Sequence, residues 1–147
     1  MPYYYFDSTA LVKRYSMERG TRIINRLMVK RSKVAILPTW SVTDFYTVFA
    51  NRAHHGDITR DDCYSVIHKF ERESQVGLYQ FIVPTMQTYV ATKELSLEYP
   101  ALRSPQVLHL ALAIELKPLR LTVVSADQQL LTACHSAGLH TINPEED

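Results

Sequence analysis

Short apolar runs alternate with longer amphipathic stretches along this chain, and that alternation leaves few folds open. Residues 3–6, 34–37, 79–83 and 121–124 read as strands, with 140–142 a weaker fifth. Between them, apolar residues recur with the 3.6-residue period of a helix. Ile23, Ile24, Leu27 and Met28 form one stripe, and Val42, Phe45, Tyr46 and Phe49 a second. Val66, Ile67 and Phe70 mark a third, and Tyr89, Val90 and Leu95 a weaker fourth. Leu108, Leu110, Ala111, Leu112 and Ile114 are apolar nearly all round, which predicts a buried helix. A last helix is expected over residues 127–137, with Gly138 just beyond it as a left-handed cap. Strands that alternate with helices need crossover connections, so the sheet should be parallel with helices on both faces. With 147 residues, no repeat and no linker-like segment, the chain reads as one domain, 1–147, able to bury a core.

In such a sheet, ligands bind outside the carboxyl ends of the strands. The aromatic run 3–6 ends on Asp7, and a helix-compatible run, 10–15, follows at once. Asp44 follows the strand-like run 34–37 by a turn containing Pro38, Thr39, Trp40 and Ser41. Asp127 follows the run 121–124 by Ser125 and Ala126. Three carboxylates at one sheet edge repel one another unless a cation neutralises them, and Mg²⁺ or Mn²⁺ prefers such oxygen ligands. Metal held by carboxylates, with water on its open positions, suits phosphodiester hydrolysis. A structural alternative exists for each acid, because the helix dipole favours acids in a first turn. Ser41-Val42-Thr43-Asp44 has the pattern of a capping box, and Ser125-Ala126-Asp127 that of a serine cap followed by an acid. Asp7 is harder to read as a cap alone, since strongly β-forming residues precede it.

The stretch from Phe6 through Asp7, Ser8, Thr9, Ala10, Leu11, Val12, Lys13 and Arg14 to Tyr15 resembles the opening motif of PIN domains, specifically of VapC-like toxins of prokaryotic toxin–antitoxin pairs. Arg103-Ser104-Pro105-Gln106-Val107-Leu108-His109-Leu110-Ala111 resembles their third motif, and Val123-Val124-Ser125-Ala126-Asp127-Gln128-Gln129-Leu130-Leu131 their fourth. Residues 39–52 are similar to the second, an acid followed by a helix ending in arginine, and Gly138-Leu139 through Ile142-Asn143-Pro144 to the usual ending. The resemblance implies a three-layer α/β/α sandwich around a central parallel sheet of four or five strands. It implies a cytoplasmic ribonuclease that binds Mg²⁺ or Mn²⁺ through Asp7, Asp44 and Asp127, with Ser125 beside the fourth acid orienting metal or water. It further implies an RNA substrate, a VapB-like antitoxin partner and a homodimer. Two positions depart from the pattern. Asp44 stands where a glutamate is usual, one methylene shorter. Gln106 stands where an aspartate is usual, offering a carbonyl oxygen without charge. A single-metal site and a site without turnover, serving as a module that binds RNA or a protein partner, both remain open on that substitution.

Charge is uneven. Residues 1–33 hold eight basic side chains against Asp7 and Glu18, a net +6, and the remainder holds eight against thirteen acids, a net −5. Arg19, Arg22, Arg26, Lys30 and Lys33 recur at helical spacing and predict a basic helix face, either solvated or meeting an acidic partner. Tyr3, Tyr4 and Tyr5 should alternate between sheet faces. His109 is expected to pack in the core, and His54 and His55 to end a helix in solvent. Cys63 and Cys134 lack metal-ligand spacing and read as thiols in a reducing compartment. The apolar runs are too short to span a bilayer, and the N-terminus has no secretory pattern. A dinucleotide site, a Walker loop and a GxSxG elbow are absent from the sequence, and position 9, where a DxD phosphatase needs its second acid, is Thr9.

Overall fold

The computed structural model describes residues 1–146. Five strands, β1 (Tyr3–Phe6), β2 (Val34–Pro38), β3 (Tyr79–Ile82), β4 (Thr122–Val124) and β5 (His140–Ile142), form one sheet in the order β3-β2-β1-β4-β5. Every pairing is parallel. Seven α-helices connect them: α1 (Ser8–Tyr15), α2 (Thr21–Met28), α3 (Ser41–His54), α4 (Arg60–Gln75), α5 (Met86–Glu98), α6 (Ser104–Glu115) and α7 (Gln128–Ser136). The expected strands all form, with ends moved by a residue at most.

The two-residue side-chain period of β1 divides the core. Tyr4 and Phe6 point to one face, where they join Ile24, Phe45, Phe49 and Phe70 from the helices α2, α3 and α4. Tyr5 points to the other, against Leu110, Leu112, Leu130 and Cys134 from α6 and α7, with Tyr3 packed beside that cluster. The result is a three-layer sandwich. On the first face the rings of Phe45 and Phe70 stack with centroids 4.2 Å apart, and Tyr15 meets both edge-on. Both cysteines are buried and free. Gly138, at φ +82°, turns the chain from α7 into β5 in the left-handed region that a side chain disfavours.

Three helical expectations need correction. The basic stripe is not one helix face: α2 begins after Gly20 and ends at Met28, so only Arg22 and Arg26 lie on it. Arg19 precedes the helix, and Lys30 and Lys33 follow it, with the Lys30 ammonium donating to the Tyr4 hydroxyl at 3.0 Å. The stripe in α5 is only partly inward: Leu95 packs against the core, while Tyr89 and Val90 are exposed and Thr88 is the buried residue. The capping box at Ser41 does not form. Ser41 is the first residue of α3, its hydroxyl is enclosed without a hydrogen-bond partner, and Trp40 occupies the cap.

Phe45 is fully buried in the aromatic cluster. Phe45→Ala should therefore cost about 3–5 kcal/mol in equilibrium denaturant unfolding. A loss below about 1 kcal/mol would mean that this cluster does not carry the first face of the sheet.

Candidate metal centre at the sheet switch point

The strand order reverses between β1 and β4: the chain builds outward from β1 to β3, then crosses back to lay β4 on the other side of β1. Carboxyl ends that diverge in this way leave a crevice. Phe6 pairs in register with Val124, so the next residues along, Asp7 and Ser125, meet at the crevice floor. Asp7, Asp44, Asp127 and Gln106 line one cavity of about 330 Å³ there, together with Ser8, Thr9, Arg103 and His109. A larger cavity, about 430 Å³, lies against residues 98–102 and α7 and contains none of the three aspartates.

Asp7 is 3% exposed. Its Oδ1 accepts from the Thr9 hydroxyl at 2.7 Å and from the Ala10 amide at 3.0 Å, and its Oδ2 accepts from the Ser125 hydroxyl at 2.5 Å. Asp7 is thus the N-cap of α1 as well as the floor of the cavity. Burial pushes its carboxyl up from 3.8 to about 6; the Ser125, Thr9 and Ala10 donors oppose that rise and the Asp127 charge adds to it. Neutral donors hold the Asp7 charge.

Asp127 is likewise a cap. Its Oδ1 accepts from the amides of Gln129 and Leu130 at the start of α7. The serine cap expected at Ser125 is not made in that form: the Ser125 hydroxyl accepts from the Asp127 amide and gives its proton to Asp7. Asp44, in the first turn of α3, caps nothing and accepts from the Ser8 hydroxyl at 2.7 Å. Gln106, 5% exposed on α6, turns its carbonyl oxygen to the Arg103 amide at 2.6 Å and donates its amide nitrogen to Asp127 Oδ2 at 2.6 Å. Position 106 therefore presents a donor to the cavity, not the oxygen ligand that its carbonyl could have supplied.

Sequence reasoning passed over Thr9 and Ser8. Thr9 accepts from the Ala126 amide at 2.8 Å while donating to Asp7, so one hydroxyl ties the ends of β1 and β4. Two hydroxyl residues directly after a strand-terminal aspartate were the available signal. His109 does pack in the core as expected, its Nδ1 2.7 Å from the Tyr5 hydroxyl and its ring 5.0 Å from that of Trp40. It also lines the cavity. Burial lowers its pKa from 6.5 to about 4, partly offset by Asp127, so the ring is neutral near pH 7. His54 and His55 end α3 in solvent.

The donor chemistry suits a hard divalent cation. The ligands on offer are carboxylate oxygens, the Oδ2 atoms of Asp7 and Asp127 each accept a single hydrogen bond, and the buried Asp7 charge lacks a counter-ion among the groups that hold it. A three-ligand protein shell is not assembled: among the described residues, no three acidic, histidine or cysteine side chains are grouped to hold one ion. Attachment through one or two carboxylates with water completing the shell, a common mode for Mg²⁺, is what these residues can supply.

No protein-family model matches the chain, and no curated protein matches it. Solved structures do. FitAcB from Neisseria gonorrhoeae is similar with a TM-score of 0.67 at 15% identity, over 98% of this chain and 99% of that one. VapBC2 from Rickettsia felis, bound to a DNA fragment from its promoter, is similar with a TM-score of 0.66 at 11% identity, over 96% of this chain and 98% of that one. At such identities the likeness is one of fold. The fold is the PIN-like α/β/α sandwich that the sequence motifs imply.

A raised carboxylate pKa has a definite consequence. The unfolded chain ionises Asp7 near 3.9, the folded chain near 6. Below about pH 4 both states are protonated, and between about 4 and 6 only the folded state holds the proton, so stability falls as pH rises. Above about pH 6 the full cost, roughly 3 kcal/mol, is present. In metal-free buffer, the stability of the parent relative to Asp7→Asn should fall across that window and level off above it. Unfolding curves that stay parallel from pH 4 to 7 would contradict the burial of an ionised Asp7.

Proposed function

We propose that the chain is a divalent-metal-dependent endoribonuclease, the toxin of a toxin–antitoxin pair. The observation that carries this reading is Asp7: a buried carboxylate at the sheet switch point, held only by neutral donors, sharing its cavity with Asp44 and Asp127. A carboxylate so placed favours a cation, and Mg²⁺ or Mn²⁺ would be held by Asp7 and Asp127, with Asp44 reaching it through water. The ion would supply Lewis-acid activation of a phosphate oxygen and a bound water of lowered pKa. The chain's own residues do the positioning. Ser125 and Thr9 fix both oxygens of Asp7, and Gln106 holds Asp127 at the angle set by its capping bonds. Ser8 orients Asp44. The motif resemblance and the fold shared with FitAcB and VapBC2 support a VapB-like antitoxin as partner, and the motif resemblance is what suggests a homodimer and a cytoplasmic setting. Among the described residues, no helix is long and apolar enough to cross a membrane.

One observation favours a second reading, a PIN-like module that binds RNA or protein without turnover. The Gln106 amide occupies an Asp127 oxygen and brings no charge, so metal binding rests on fewer carboxylates.

Mn²⁺ titration and an RNA-cleavage assay, run together on the parent and its variants, decide between them. Active parent enzyme should lose cleavage and metal binding in Asp7→Asn. Ser125→Ala, which removes the donor that orients the Asp7 carboxylate, should lower metal affinity or activity about 10–100-fold. An inert parent that gains cleavage in Gln106→Asp would establish the second reading and reject the first.

A further inference from the structure

His109 sits one turn beyond Gln106 on α6 and is 5% exposed. Its only side-chain hydrogen bond among the described residues is the one between Nδ1 and the Tyr5 hydroxyl, 2.7 Å long and buried. Tyr5 is completely buried, and burial pushes its hydroxyl well above the usual range, so it keeps its proton. That proton has one acceptor available, His109 Nδ1. The reverse arrangement would leave a buried hydroxyl donor unmatched, at a cost of about 1–3 kcal/mol. Tyr5 therefore donates and Nδ1 accepts. In a neutral ring the hydrogen must then reside on Nε2.

Nε2 has no partner among the described residues, yet it is not one of the enclosed polar atoms without a partner, which are Trp40 Nε1 and Ser41 Oγ. It therefore opens to the cavity that His109 lines. The edge-on Tyr5 ring at 5.6 Å and the Trp40 ring at 5.0 Å fix the imidazole plane. Arg103, at the N-cap of α6, lines the same cavity, and the Gln106 amide is already given to Asp127, so the donors left for a ligand beside the aspartates are those of Arg103 and His109. A group that engages both walls carries anionic oxygens for the donors and shares a cation with the acids, which describes a phosphate.

We propose that His109, held by Tyr5 as a fixed Nε2–H donor, binds a non-bridging oxygen of the substrate's phosphodiester. This rests on the nuclease reading for its substrate, while the donor itself is a property of the fold. His109 is the contact residue and Tyr5 its positioning residue.

Long-range ¹H–¹⁵N spectra of the ring test the donor directly. The parent should show the Nε2–H form, and inorganic phosphate added with Mg²⁺ should shift Nε2 while leaving Nδ1 nearly in place. Tyr5→Phe should release the tautomer. In RNA cleavage, His109→Phe keeps a ring beside Trp40 but removes the donor, and should raise KM about tenfold, the size of one hydrogen bond to a charged group. His109→Gln, whose amide reaches toward the Nε2 position, should recover much of that loss. An Nδ1–H ring in the parent, or no phosphate shift at Nε2, overturns the proposal. A lowered melting temperature in His109→Phe with unchanged KM overturns it equally. A parent that shows the tautomer and the phosphate shift but cleaves no RNA rejects the nuclease reading and leaves the phosphate contact standing.

Discussion

The hydrogen bond from the Ser125 hydroxyl to Asp7 joins two strand tips that lie 118 residues apart in the chain. The site depends on that closure. It forms because β4 pairs with β1 on the side opposite β2, bringing residue 125 level with residue 7. Thr9 makes the same connection a second time by binding the Ala126 amide. A buried carboxylate is expensive to ionise in an apolar layer. Three neutral donors keep Asp7 within reach of ionisation near neutral pH without cancelling its charge.

Capping engages two of the three carboxylates of the cavity. Asp7 Oδ1 accepts from the Ala10 amide, and Asp127 Oδ1 from two amides of α7. The helix starts thereby fix each carboxylate's orientation, and each Oδ2 accepts one side-chain donor, Ser125 for Asp7 and Gln106 for Asp127. The cap reading therefore holds for Asp7 and Asp127, and the cap uses only one oxygen of each. Asp44 differs, since Trp40 stands at its helix cap and the Asp44 side chain is turned to Ser8. Gln106 divides itself the same way, its oxygen spent on the α6 start and its nitrogen on Asp127.

The strands were legible because they are short, apolar and bounded by polar turns, and the buried character of α6 because its apolar residues cover all sides. Helix ends and faces were less so. Arg19 and Lys33 keep helical spacing with Arg22 and Arg26, yet Gly20 adopts φ +93° and α2 ends at Met28, and spacing alone does not register either break. Tyr89 and Val90 look like core residues, but packing of α5 against the body buries Thr88 in their place. Ser41 has the letters of a cap, while the path of the chain out of β2 places it one residue inside the helix.

By itself the sequence determined the layer order, because short apolar runs alternating with longer segments of 3.6-residue period call for a parallel sheet covered by helices. It also determined which residues end the strands, and so which carboxylates stand at the carboxyl edge of the sheet. Tertiary structure alone decided which strand ends are neighbours, since strand order depends on packing between helices far apart in the chain. It decided the direction of each hydrogen bond at the site as well. Whether Ser125 capped α7 or held Asp7, whether Gln106 offered oxygen or nitrogen, and whether His109 met only the core or also the cavity were set by partners 21 to 118 residues away. Geometry between such distant groups leaves no periodicity in a chain.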